Sequence, residues 1–323
     1  MKLADFGIAD IFVLVDNNSR NFCQRSFEDF GIPEEHIITI PEGEHHKSLE
    51  SVAEIWQVLS DQGARRNAVL VNVGGGVITD LGGFAASCFK RGIHCVNIPT
   101  TLLAQIDASV GGKTGFDFNG LKNEIGSFAI PDCVHFVNRF LATLPERQIM
   151  SGFAEMLKHA LLADEEHVAE AMQVDFAGVA EEDFLKLIRK SVAVKAAIVQ
   201  SDPREKGLRK ALNFGHTVGH AFELAGHYET WTHGQAVAAG MVRAAALGEK
   251  LGVTPAGTGE RIAALLKAFA LPTAIPCTAE EYAAAVGLDK KGSGGDIQVL
   301  LLEEMGKAVP HRMTKAALLE ELK

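Results

Sequence analysis

Over the first 140 or so residues, short runs of β-branched and other apolar residues alternate with longer stretches whose apolar positions recur every three or four residues. The runs are IFVLVD, HIITI, AVLVNV, HCVNIP and VHFV. Their uninterrupted hydrophobicity suits strands buried on both faces, and the periodic stretches between them predict helices, one through Phe27 and one from Ser48 to Gln62. Together they predict an α/β domain with a parallel sheet covered on both sides. After Leu144-Pro145-Glu146-Arg147 the pattern changes. Ala, Leu, Glu and Lys then dominate in periodic stretches at Ala154–Ala163, Glu182–Gln200, Ala236–Leu251 and Gly259–Phe269, which predict an all-α second domain. The boundary is drawn at residues 1–146 and 147–323, with no repeat or low-complexity linker between the halves. Such domains are expected to pack closely around a ligand cleft.

Composition narrows the class without changing that picture. A chain of 323 residues suits two domains, and 47% apolar residues is ordinary for a globular protein. The formal net charge of −10 argues against a broad nucleic-acid surface, so local clusters of cations stand out. Five scattered cysteines without a CxxC pair indicate neither a disulfide framework nor a thiolate metal site, as expected in a reducing cytoplasm. The N-terminal MKLADFGIAD has acids where a signal peptide needs an apolar core, and no long uncharged run resembles a membrane span. The expected location is cytoplasmic.

Several motifs carry chemistry. VNVGGGVITD (71–80) places three glycines between a strand and a helix, where backbone N–H groups and a helix N-terminus can meet a phosphate, although it is not GxGxxG. PEGEHHK (41–47) follows the second strand, at the end of a parallel sheet where ligands bind. Pro99 to Gly126 reads as a contact-making loop, with Asp107, Lys113, Lys122 and Asn123 as groups for an anionic, hydroxylated ligand. His216 and His220, four apart in LNFGHTVGHAFEL, face the same way on a helix and can present two imidazoles to one divalent metal. His233 follows in WTHGQAV, and Glu155 in SGFAEMLKHA can complete the shell with a carboxylate; its competing reading is an i,i+3 ion pair with Lys158. Lys195, Arg209 and Asn213 add cations and a donor suited to a substrate bearing phosphate and carboxylate.

GGGVITDLGGF, IPTTLLAQIDASVGGKTG, LKNEIGSF, FAEMLKHALL, LRKALNFGHTVGHAFE, THGQAVAAGM and GLDKKGSGG come in the order and spacing of the 3-dehydroquinate synthase family, and the resemblance covers nearly the whole chain. It implies an N-terminal Rossmann-like NAD-binding α/β domain and a C-terminal helical metal-binding domain. It also implies conversion of 3-deoxy-D-arabino-heptulosonate 7-phosphate into 3-dehydroquinate and phosphate in the shikimate pathway, with transient oxidation at C5, phosphate elimination, re-reduction and aldol closure. Carried over by position, the metal ligands, for zinc or alternatively cobalt, fall on Glu155, His216 and His233, leaving His220 on the substrate side. NAD contacts fall on Asp16, Asn18, Glu44, Lys47, Gly75, Gly76, Asp80, Thr100, Thr101, Lys113, Lys122, Phe140 and Thr143. Substrate contacts fall on Asp107, Lys113, Asn123, Lys158, Lys195, Arg209, Asn213, His220, Lys290 and Lys291. Arg91 matches an arginine that reaches the neighbouring subunit's site, which implies a homodimer. Two departures stand out. Gln235 replaces a usual glutamate two residues after the third ligand and is expected to make the same second-layer hydrogen bond. The chain also begins close to IFVLVD, without the leading segment of most members, which is expected to weaken the sheet edge. Another sugar-phosphate cyclase on the same scaffold, or a metal-dependent polyol dehydrogenase, is the alternative.

Overall fold

In strand β1 (Ile11–Asp16), Ile11, Val13 and Val15 belong to one buried cluster and Phe12 and Leu14 to another, as the two-residue period of a strand requires when both faces are covered. The computed structural model describes residues 6–178, 181–226, 230–276, 278, 281 and 296–321. The chain divides into two compact units between Thr143 and Leu144.

The first unit carries a parallel sheet in the order β2 (Ile37–Ile40), β1, β3 (Val69–Gly74), β4 (His94–Pro99), with the short strand β7 (Cys133–Val134) beside β4. Of the expected strand VHFV only Val134 pairs; a 3₁₀ turn, Asn138–Thr143, follows. Helices α1 (Asn17–Asp29), α2 (Leu49–Asp61) and α3 (Gly76–Cys88) connect the strands. Asp16 and Ser48 cap the first two by accepting the N–H of Ser19 and of Ser51.

The contact-making loop expected over Pro99–Gly126 is mostly ordered secondary structure. A π-turn spans Ala104–Ala108, and strands β5 (Lys113–Phe118) and β6 (Leu121–Phe128) form an antiparallel hairpin. Its turn is Asn119-Gly120, both with positive φ (51° and 75°). This is the dipeptide and the backbone that two-residue hairpins favour.

The second unit contains α4 (Glu146–Leu161), α5 (Glu165–Ala171), α6 (Glu182–Ser201), α7 (His216–Ala225), α8 (His233–Lys250) and α9 (Thr258–Ala268). It is helical but not all-α, which corrects the sequence reading. Strands β8 (Asp296–Glu304) and β9 (Lys307–Thr314) form a hairpin followed by a helix, Lys315–Glu321. Ile297, Val299 and Leu301, every second residue of β8, pack with Val218, Phe222 and Leu247 of the helices. At the hairpin turn Gly306 donates its N–H to the Leu161 carbonyl, at the end of α4. Gly306 has a positive φ of 85°, and a Cβ there would lie 2.5 Å from the Ala163 oxygen. No described helix is long and apolar enough to cross a membrane.

Candidate active site

In the first unit Asp16, the glycine turn, Thr100 and Thr101 lie at the carboxyl ends of β1, β3 and β4, and Lys47 follows the carboxyl end of β2, whereas Arg91 lies in the turn before the amino end of β4. Gly74 ends β3, Gly75 caps α3 and Gly76 begins it. A Cβ on Gly74 would fall 2.4 Å from the Ile78 side chain, and one on Gly75 would fall 3.2 Å from Thr101. Only glycines let the helix start so close to the strand, leaving a backbone cradle at a helix N-terminus that suits a pyrophosphate. Thr100 donates its N–H to the Gly74 carbonyl, and Thr101 Oγ1 accepts from Ala104 N, so both threonines are tied into the same turn.

Lys47 is the buried centre of this region. Its ammonium donates to Asp80 Oδ2 at 2.6 Å and to Asn123 Oδ1 at 2.5 Å. Burial pulls the Lys47 pKa down, but the Asp80 carboxylate, with Glu44 and Asp117 behind it, more than offsets this and holds the ammonium above its ordinary value. Asn123 has a left-handed backbone (φ 51°) and donates its N–H to Asp117. Burial pushes the Asp117 carboxyl up, and that N–H donation pulls against it. Lys122 reaches Glu44 at 3.5 Å. Asp16 accepts from the backbone and hydroxyl of Ser19, with exposed Asn18 in the same helical turn. Phe140 is buried, and its carbonyl accepts the Thr143 hydroxyl. Asp107 lies in the π-turn, Lys113 opens β5, and Arg91 is exposed with a positive φ of 68°.

The second unit builds a different kind of centre. Glu155, on α4, is 0% exposed. Its Oε2 accepts from Lys158, the expected i,i+3 pair, while Oε1 lies 3.7 Å from His216 Nε2 and 3.7 Å from His233 Nε2. Those separations are too long for hydrogen bonds. Two donors about 2.0–2.1 Å from one tetrahedral ion stand roughly 3.4 Å apart, so the spacing suits shared coordination. Buried Glu155 Oε1 has no hydrogen-bond partner among the described residues, a cost that a cation would remove. The trio therefore fits a divalent metal and also shows that the ion-pair and ligand readings of Glu155 are compatible, one per oxygen.

Glycines bring these helices together. A Cβ on Gly234, next to His233, would stand 1.9 Å from the Ser151 carbonyl of α4, and the Gly234 N–H donates to Ser151 Oγ. Gly240 of α8 would likewise meet the Gly215 oxygen at 2.1 Å, and Gly219 packs on Ala236. With no side chains between them, α7 and α8 approach until the rings of His216 and His233 have centroids 5.2 Å apart.

The i,i+4 partner His220 is 5.4 Å from His216, but its side chain is 54% exposed and its Nε2 lies 3.9 Å from Glu223 Oε2. It borders the Glu155–His216–His233 trio. Lys158, Lys195 and Arg209 are buried. Arg209 donates to the Pro203 carbonyl and Asn213 to Glu205. Lys290 and Lys291 lie outside the described residues. The role foreseen for Gln235 is corrected: its Oε1 accepts from the Thr232 N–H and hydroxyl, closing a capping box at the start of α8. The carboxylate beside His233 is Glu223, 3.3 Å from Nδ1. Sequence reasoning missed it, although its place one turn after His220 was a signal.

Residues 37–151 match the 3-dehydroquinate synthase N-terminal family and residues 152–292 the 3-dehydroquinate synthase C-terminal family. The chain is 44% identical to the 3-dehydroquinate synthase of Parabacteroides distasonis over 97% of its length and 90% of the relative's. It is 42% identical to that of Thermococcus kodakarensis over 89% of its length and 81% of the relative's. Among solved structures, a 2-deoxy-scyllo-inosose synthase complexed with carbaglucose-6-phosphate, NAD+ and Co2+ superposes with a TM-score of 0.86 at 24% identity, covering 98% of this chain and 92% of that one. A 2-epi-5-epi-valiolone synthase from Streptomyces hygroscopicus with NAD+ and Zn2+ bound superposes with a TM-score of 0.83 at 29% identity, covering 99% and 93%. With family matches that together cover residues 37–292 and relatives alike over most of their own length, the chain belongs to the 3-dehydroquinate synthase family.

Proposed function

We propose that this protein is a 3-dehydroquinate synthase of the shikimate pathway, a carbon–oxygen lyase that converts 3-deoxy-D-arabino-heptulosonate 7-phosphate into 3-dehydroquinate and phosphate. The observation that carries the reading is the meeting of Glu155, His216 and His233 around a buried carboxylate oxygen that lacks a hydrogen bond, in a chain 44% identical to a 3-dehydroquinate synthase. When bound, NAD supplies a transient hydride acceptor, and a divalent cation, zinc in this reading, supplies Lewis acidity toward a substrate hydroxyl.

The chain's own residues do the rest. Glu155, His216 and His233 hold the cation, and Lys158 neutralises the second oxygen of Glu155. The glycine turn at the start of α3 receives the pyrophosphate of NAD, while Lys47 and Asp80 rigidify the strand ends around it. Asp16, Asn18, Thr100, Thr101, Phe140 and Thr143 complete that pocket. Lys195, Arg209, Asn213, Asn123, Lys113 and His220 bind the carboxylate, hydroxyls and phosphate of the substrate, concentrating cations on an otherwise acidic protein. The protein is read as a cytoplasmic homodimer in which exposed Arg91 serves the partner's site.

The test is phosphate release from 3-deoxy-D-arabino-heptulosonate 7-phosphate with catalytic NAD and zinc, before and after chelation. Metal-dependent turnover to 3-dehydroquinate without net NADH is the expected result. Absence of release from folded protein loaded with both cofactors would overturn the reading and turn attention to heptulose 7-phosphate, glucose 6-phosphate and simple polyols.

A further inference from the structure

We propose that Glu223 is the positioning residue for His233: its carboxylate accepts a hydrogen bond from Nδ1–H of that ring and so leaves the unprotonated Nε2 to face the cation. The inference rests on the metal reading above. Glu223, on α7, is 3% exposed, and its Oε2 lies 3.3 Å from His233 Nδ1. An ionised carboxylate offers only acceptors, so its contact with Nδ1 selects the tautomer protonated there. In that tautomer Nε2 is unprotonated, and it is Nε2 that faces Glu155 Oε1 at 3.7 Å.

The other imidazole is held differently. His216 Nδ1 lies 3.3 Å from the carbonyl of Phe214, two residues earlier in the same chain segment. One ring is thus oriented by its own backbone and the other by a buried charge borrowed from a neighbouring helix. A carboxylate in this position fixes ring orientation and raises the basicity of the ligating nitrogen. Gln235 does not compete for the role, because its oxygen is engaged by Thr232.

A competing arrangement uses the same side chains. His220, Glu223 and His233 have ligand atoms within 4.8 Å of one another, so they also form a possible second cation site in which Glu223 is itself a ligand. The 3.9 Å from Glu223 to the largely exposed His220, against 3.3 Å to His233, favours the hydrogen-bonding role.

The test is Co2+ titration of the metal-stripped full chain, followed by its visible absorption and by competition with a chromophoric chelator, for wild type, E223Q, E223A and H233A. Wild type is expected to bind one Co2+, H233A to lose the signal, and both Glu223 variants to bind about 10–100-fold more weakly with unchanged circular dichroism. Wild-type affinity in E223Q and E223A alongside loss in H233A would overturn the inference and leave the metal reading standing. A second equivalent in wild type that E223Q removes would overturn it too, making Glu223 a ligand. No binding by wild type would overturn the metal reading and this inference with it. Folding of the variants is bypassed by ¹⁵N-histidine spectra of metal-free wild type, where His233 is expected as the Nδ1–H tautomer; an Nε2–H tautomer sinks the proposal.

Discussion

The two units handle charge in opposite ways. In the first, Lys47 is satisfied by protein, its ammonium shared between Asp80 and Asn123. In the second, Glu155 gives one oxygen to Lys158 and keeps the other, buried and without a hydrogen bond among the described residues, between two imidazoles. The first arrangement is complete without a ligand and mainly rigidifies a backbone cradle. The second is unfinished, and burying an unsatisfied carboxylate oxygen costs stability that a cation returns. A nucleotide cradle made of backbone can be stable when empty, whereas a metal centre made of side chains cannot be fully satisfied without its ion.

The comparison breaks most sharply at His216. H216A is expected to lower turnover by about three orders of magnitude or more, because the Lewis acid is lost, while NAD affinity measured calorimetrically changes little. Loss of NAD binding in the same variant would mean that the two regions are not separable. The converse substitution, K47M, removes the ammonium from Asp80 and Asn123. It is expected to cost about 3 kcal/mol in urea denaturation and to weaken NAD, leaving Co2+ affinity intact.

A smaller effect is expected at Gly234. Adding a methyl group 1.9 Å from the Ser151 oxygen forces α8 away from α4, so G234A is expected to lose about 1–3 kcal/mol and to weaken Co2+ binding along with the melting temperature. Normal Co2+ affinity in a folded G234A protein would show that close helix approach is not what assembles the trio.

The smallest effect concerns the sheet itself. Burial pushes the Cys95 thiol up to about 12 from an ordinary value of 9.0. Because the folded value is raised, the stability linked to this thiol is fully present below pH 9.0 and is lost as pH rises from there toward 12. Peptide mapping after brief alkylation at mildly alkaline pH is expected to show exposed Cys88 modified well before Cys95. Equal rates would contradict a closed first unit.

Elements whose pattern is local were legible. Strands β1 to β4 and helices α1 and α2 follow from runs of apolar residues and from caps at Asp16 and Ser48. Two hairpins were not read, though each left a trace: Asn119-Gly120 for the first and the alternation Ile297, Val299, Leu301 around a glycine turn for the second. The first was obscured by polar residues on its exposed strand β6, the second by the helical composition around it.

The site divides along the same line. The sequence alone determined the α/β-then-helical order and the glycine turn at β3, because those depend on residues within a few positions of one another; the ligand set Glu155, His216 and His233, spread along the chain, followed from the family resemblance. Tertiary structure decided that Oε1 of Glu155 faces His216 and His233, that His220 borders the trio, and that Glu223, not Gln235, supports His233. Those choices turn on how closely α4, α7 and α8 approach across glycines, and such a distance is set by packing between segments far apart in the chain.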